Sequence, residues 1–156
     1  TRIVLLALRG RRLPEPGASE QAYLDELEAG LGETGPFNLP DWKETREGFH
    51  GCLETLFRHT PPTALIIDEA SYFVAALQFC GNNGLRVPED VSLVCSDSDP
   101  VFELLDPSAA RIHWDPAPVV RRIVRWANNV ARGKEDRRQT FTTAEFIEGG
   151  TIGPAP

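Results

Sequence analysis

The chain has 156 residues, 41% of them hydrophobic and 25% charged, a balance that excludes intrinsic disorder and fits one domain, or one lobe of a larger one. No apolar run approaches the roughly 20 residues that a membrane helix needs, which argues against a spanning protein or a membrane partner. The net charge of −7 is uneven: residues 1–110 carry 8 basic and 18 acidic groups, residues 111–156 carry 8 basic and 5 acidic, so most of the chain repels a phosphate backbone, and if the parent protein touches DNA it is expected to do so with a segment outside this chain.

In chain order, Arg2 to Leu8 is a short continuous apolar run of the kind that forms a strand buried on both faces. Arg9 to Gly17, with four charges, two Pro and two Gly, reads as a surface loop. A helix opens at Ala18 or Ser19 and runs to about Ala29, with Gly30 as its stop and Tyr23, Leu24, Leu27 and Leu31 at helical spacing. Pro36 to Pro40 reads as a short extended piece. Thr45 caps a second helix, Glu47 to about His59, which Pro61-Pro62 ends.

Thr63 to Asp68 is a second buried strand of parallel type, and a third helix follows from about Ala70 to Asn82, closed by Asn83-Gly84. Val91 to Cys95 is the third strand. Val101 to Leu105 is a short helix, and Arg111 to Trp114 a weaker strand. The helix Pro118 to Arg132 carries an apolar stripe (Val119, Val120, Ile123, Val124, Ala127, Val130, Ala131) opposite an arginine face. Arg138 to Ile147 is a last strand. The alternation of strand and helix predicts an α/β fold, a parallel sheet covered by helices on both faces. Ligands of such sheets lie beyond the carboxyl ends of the strands. Ile67-Asp68-Glu69 and Cys95-Ser96-Asp97 put carboxylates at one such edge.

Cys52, Cys80 and Cys95 are widely spaced, form no C-x-x-C pattern, and read as reduced, buried thiols of a cytoplasmic protein. His50, His59 and His113 lack ligand spacing, so no metal is expected. There is no G-x-S-x-G elbow and no glycine-rich phosphate cradle, so neither catalytic residues nor a cofactor are expected. Asp68/Glu69 and Asp97/Asp99 keep a metal- or carboxylate-dependent enzyme as a distant alternative. The chain lacks an initiator Met and reads as a piece of a longer protein; no signal peptide is visible in it.

The segments Pro62-Thr-Ala-Leu-Ile-Ile-Asp-Glu69 and Gly84-Leu-Arg-Val-Pro-Glu-Asp-Val-Ser-Leu-Val-Cys-Ser-Asp-Ser-Asp-Pro100 closely resemble the effector-binding region of LacI/GalR-type transcriptional regulators. The resemblance covers the chain well from about Thr60 onward, and Thr1 to His59 by element order. It implies a three-layer α/β/α lobe of the periplasmic-binding-protein type. Residues 1–156 would be the C-terminal lobe, with 114–140 the segment crossing to an N-terminal lobe.

The implied function is sensing of a sugar- or nucleoside-like effector by a homodimeric, cytoplasmic repressor. A missing N-terminal helix-turn-helix would bind operator DNA. A sugar-binding component of a transport system is the alternative. By position in the family pattern, Asp97 binds ligand hydroxyls, or with Asp99 caps the next short helix. Glu69 stands where many members have Asn; it contacts ligand, or Asp68 or Glu69 caps the following helix. Ser96 and Cys95 reshape the pocket relative to the family. Trp114 stacks on a sugar or packs at the crossing.

The family's pocket arginine has no match, since Ser19, Glu20 and Gln21 hold the aligned region. Arg9, Arg11 and Arg12 either substitute for it or form a solvated loop. With its usual floor missing, the Val119 to Val130 stripe is expected to find cover from a second copy or from the chain's own ends.

Overall fold

The structure is a computed structural model that describes residues 2–11, 17–32 and 34–154. Its centre is a five-stranded sheet in the order β1 (Ile3–Leu6), β2 (Ala64–Ile67), β3 (Ser92–Cys95), β4 (Ala110–Trp114), β5 (Ala144–Ile147). The first four strands are parallel and in step, with Leu5, Ile66, Val94 and Ala110 partnered along one row. The helices are α1 (Ala18–Leu31), α2 (Arg46–His59), α3 (Ala70–Asn82) and α4 (Ala117–Ala131).

The pleat sorts side chains by alternation. Val4, Leu6, Leu65, Ile67, Leu93 and Cys95 share one face and join Phe49, Leu53 and Leu56 of α2 and Phe73, Ala76 and Phe79 of α3 in a single buried cluster. Trp42 closes that cluster, its ring 5.0 Å from Phe49 and 4.8 Å from Tyr72. The opposite face, with Leu5 and Ile66, looks toward α1, whose Tyr23 hydroxyl donates to the Ile3 carbonyl oxygen at 3.2 Å. Helices on both faces of a mostly parallel sheet make the expected three-layer α/β/α architecture.

Local chemistry sets the element ends. The Thr45 hydroxyl accepts from the Gly48 N–H at 3.1 Å and caps α2. Gly84 turns left-handed after α3, at φ 70°. The first helix does not stop at Gly30. It continues to Leu31, and the left-handed residue that ends it is Gly32, at φ 85°. Gly30 sits in open space, and a glycine inside a helix costs only about 1 kcal/mol relative to alanine. The stop falls where the backbone needs positive φ. Pro36 to Asn38 is a tight 3-10 turn rather than an extended piece. It lies beside β1 because the Asn38 side-chain amide donates to the Ile3 carbonyl oxygen at 2.9 Å.

The last strand departs from expectation in length and in sense. It spans only Ala144–Ile147 and runs antiparallel to β4. Arg138 cannot begin it because its backbone is engaged elsewhere. Its N–H donates to Asp136 at 3.3 Å, and its carbonyl oxygen accepts from the Arg122 guanidinium at 2.6 Å. The apolar stripe of α4 is not covered by the chain's own described ends. Val120, Ile123, Val124, Trp126 and Val130 are 47–56% exposed, and α4 has no buried residue.

Candidate functional site

Parallel strands in step deliver their carboxyl ends to one edge, and the turns leaving them carry short polar side chains. At that edge lies a cavity of about 370 Å³, lined by Ala7, Ser19, Glu20 and Tyr23, by Asp68, Ser96, Asp97 and Trp114, and floored by Leu5 and Ile66. Four of the five residues singled out in the sequence, Asp68, Ser96, Asp97 and Trp114, therefore meet in one place. Glu69 is not among the lining side chains; it occupies the N-cap of α3 without a side-chain capping bond.

Backbone N–H groups donate to both Asp68 and Asp97. Asp68 Oδ2 accepts from the Leu8 N–H at 3.0 Å, which ties the exit of β2 to that of β1. Asp97 Oδ1 accepts from the Ser98 N–H at 2.8 Å, and its Oδ2 from the Ala70 N–H at 3.3 Å. Asp97 thus satisfies an N-terminal donor of α3 from the neighbouring strand. This is a capping role, but toward the preceding long helix rather than the next short one. The short one, the 3-10 turn Pro100–Leu104, is capped by Asp99, which accepts from the Val101 N–H at 2.8 Å. The two backbone bonds fix the Asp97 carboxylate in place, and a carboxylate oxygen can accept further bonds from a ligand hydroxyl.

Carboxylates gather at this edge. The Cys95 thiol, one residue before the cavity, is pushed up to about 12 by burial first, and the charges of Asp97, Asp68 and Glu69 act in the same direction. Tyr23 is raised to about 12 by burial, so its hydroxyl stays protonated in neutral solution. Trp114, half-buried, lies in step with Ala110 and Ile112 on the α1 side of the sheet and offers the cavity an aromatic wall.

Sequence reasoning placed Tyr23 in the apolar stripe of α1 and noted Ser19 and Glu20 only as the place where an arginine is lacking. All three line the cavity. The available signal was positional: the first turns of a helix that follows β1 must return over the carboxyl edge. Of the loop arginines, Arg9 is exposed in a 3-10 turn (Arg9–Arg11) and does not line the cavity. The Arg11 side chain, and Arg12 altogether, lie outside the described residues. Among the described residues no group of three or more His, Cys, Asp and Glu is arranged to hold a metal ion, and no helix is long and apolar enough to cross a membrane.

Residues 1–152 match the sequence family described as periplasmic binding protein-like domain. Ninety-nine residues, 60% of this chain and 30% of the relative, are 28% identical to the HTH-type transcriptional repressor PurR of Pasteurella multocida (strain Pm70). The transcription regulator CcpA of Lactococcus lactis superposes with a TM-score of 0.78 at 14% identity, over 97% of this chain and 55% of that one. A LacI family transcriptional regulator from Arthrobacter sp. FB24, in complex with lactose, gives 0.76 at 20% identity, over 97% and 57%. The chain thus spans a little over half the length of these two solved regulators, and less than a third of the curated relative.

Proposed function

The chain belongs to the periplasmic binding protein-like domain family, and from that premise we propose that it is the ligand-sensing C-terminal lobe of a LacI-type transcriptional regulator, binding a sugar- or nucleoside-like effector without catalysis. The observation that carries the reading is the convergence of Asp68, Ser96, Asp97 and Trp114 on one cavity at the carboxyl edge of the sheet. Hydroxyl-accepting carboxylates beside an aromatic wall suit a polyol. The regulators whose folds it shares, one of them bound to lactose, support the same ligand class.

Residues 114–140 form the crossing segment in this reading. The uncovered apolar stripe of α4 supports it, because a second lobe docked there removes that surface from water. Effector held between the lobes stabilises one interlobe angle. In a homodimer, that angle sets the spacing of two DNA-binding headpieces on an operator.

The test is calorimetric titration of the full-length gene product with hexoses, pentoses and nucleosides, alongside Trp114→Ala and Asp97→Asn. Saturable binding weakened about tenfold or more by either substitution supports the reading. Turnover of a simple glycoside that disappears in Asp97→Asn overturns it.

A further inference from the structure

The strand β4 serves the cavity from both of its faces. Trp114 lines the cavity, and by the alternation of a strand its neighbour His113 points to the opposite side of the sheet, together with Arg111. On that side runs the segment leaving β3, whose first residues, Ser96 and Asp97, also line the cavity. The two basic side chains hold this segment at two points. Ser98 Oγ and His113 Nδ1 share a hydrogen bond at 3.0 Å. Further on, Arg111 Nη2 donates to Glu103 Oε1 at 2.6 Å, and its guanidinium lies 5.7 Å from the centre of the buried Phe102 ring.

The first of these points bears on the ligand site. Asp97 Oδ1 accepts from the Ser98 N–H at 2.8 Å. A bond to the next residue ties the carboxylate to its own turn, so the carboxylate goes where the turn goes. Before Asp97 the turn is pinned to the sheet by the Ser96 N–H, which donates to the Ile67 carbonyl oxygen at 2.9 Å. After Asp97 the Ser98 hydroxyl pins it to His113. Either ring tautomer makes that bond, with the hydroxyl donating to a bare Nδ1 or accepting from Nδ1–H. A further tie, from the Ala70 N–H to Asp97 Oδ2, is long for such a bond at 3.3 Å.

Resting on the ligand-site reading above, we propose that His113 is a positioning residue for effector binding: through Ser98 it holds the Asp97 turn in register with the Trp114 wall, from the reverse face of the sheet and without touching ligand. Adjacent residues of one strand are locked to each other by the backbone, so the wall and the acid share a single support. A binding constellation depends on such outer hydrogen bonds to keep its groups within a fraction of an ångström of the productive geometry. The cost of a loosened turn falls on affinity rather than on folding, because the His113 side chain is exposed.

Glucose, lactose and adenosine are titrated calorimetrically into the full-length gene product. Each probe that binds is then titrated into His113→Ala, Ser98→Ala, the double variant and His113→Asn, with thermal melts of every protein. Expected is a loss of about tenfold in affinity for His113→Ala, a similar loss for Ser98→Ala, and no further loss on combining them, since both remove one bond. His113→Asn, whose side-chain amide reaches as far as Nδ1, should bring affinity back to within about threefold of wild type. Melting temperatures should stay within about 2 °C of one another. In an Asp97→Asn background, His113→Ala should cost less than about twofold, because the charge that it places is gone. Wild-type affinity in His113→Ala, no recovery in His113→Asn, or a cost that persists undiminished in the Asp97→Asn background overturns the positioning role and leaves the ligand site standing. Binding of none of the three probes to wild type removes the ligand-site reading, and the positioning role with it.

Discussion

Thr151 shows how much of this fold can depend on one side chain. It is fully buried; its hydroxyl accepts from the Ala110 N–H at 2.9 Å and donates to the Leu93 carbonyl oxygen at 2.7 Å, while its own carbonyl oxygen accepts from the Leu93 N–H at 2.8 Å. It stitches β3 to the start of β4. Thr151→Val keeps the shape and leaves a buried donor and acceptor unmatched, so a loss of about 1–3 kcal/mol is expected in urea denaturation. Asp97 accepts from the Ala70 N–H of α3, and in the proposed reading it also serves ligand. Asp97→Ala should destabilise by about 1 kcal/mol, the usual cost of a lost cap, whereas Asp97→Asn, which still accepts a bond, should retain most of the stability and lose ligand affinity. Measuring both variants by denaturation and by titration separates the two duties. The thiols behave as their burial dictates: Cys80 is raised to about 11 and Cys95 to about 12, so neither is appreciably thiolate near neutral pH.

At the scale of elements, the closing segment and α4 set the shape of the molecule's second half. Gly149 lies against the backbone of Ser108, Ala109 and Ala110, so close that a Cβ would overlap it. Gly149→Ala should therefore displace the strand-to-turn junction and lower the melting temperature by several degrees, the consequence of forced backbone movement rather than of lost glycine freedom. Beside α4, Asp136 is clamped by Arg122 at 2.7 and 3.1 Å and by the Asn129 amide at 2.8 Å. The Asn129 bond first, then the Arg138 N–H and the Arg122 charge, hold its carboxyl below the usual value of 3.8. A carboxyl depressed in the folded state contributes stability that is present above the ordinary carboxylate value and is lost as pH falls through its lowered one. The difference in stability between wild type and Asp136→Asn should accordingly be constant near neutrality and shrink below about pH 4. Denaturation midpoints across pH 2–7 check this.

At the scale of the whole molecule, the apolar stripe on α4 is an exposed surface. Ile123 is 56% exposed, so Ile123→Lys should change the stability of the isolated chain by less than about 0.5 kcal/mol. If a second lobe covers the stripe in the full-length product, as proposed, the same substitution should weaken its docking and raise the rate of proteolysis between lobes. Equal proteolysis of wild type and variant would count against a covered stripe. Self-association of the isolated chain, read by sedimentation, should fall with the same change if a second copy supplies the cover.

The sequence alone determined the order of strands and helices, the three-layer class and the edge on which Asp68, Ser96 and Asp97 would gather. These follow from periodicity, from Pro and Gly punctuation, and from the rule that parallel strands end together, all local signals. The end of α1 at Gly32, the antiparallel sense of β5, the service of Asp97 to α3, and the presence of Ser19, Glu20 and Tyr23 in the cavity wall were decided only in three dimensions. Each depends on contacts between residues far apart in the chain, or on which of several permitted backbone states the packing selects. Trp114 marks the boundary between the two: its type suggested a contact with ligand or a crossing, and only the register of β4 turned it toward the cavity.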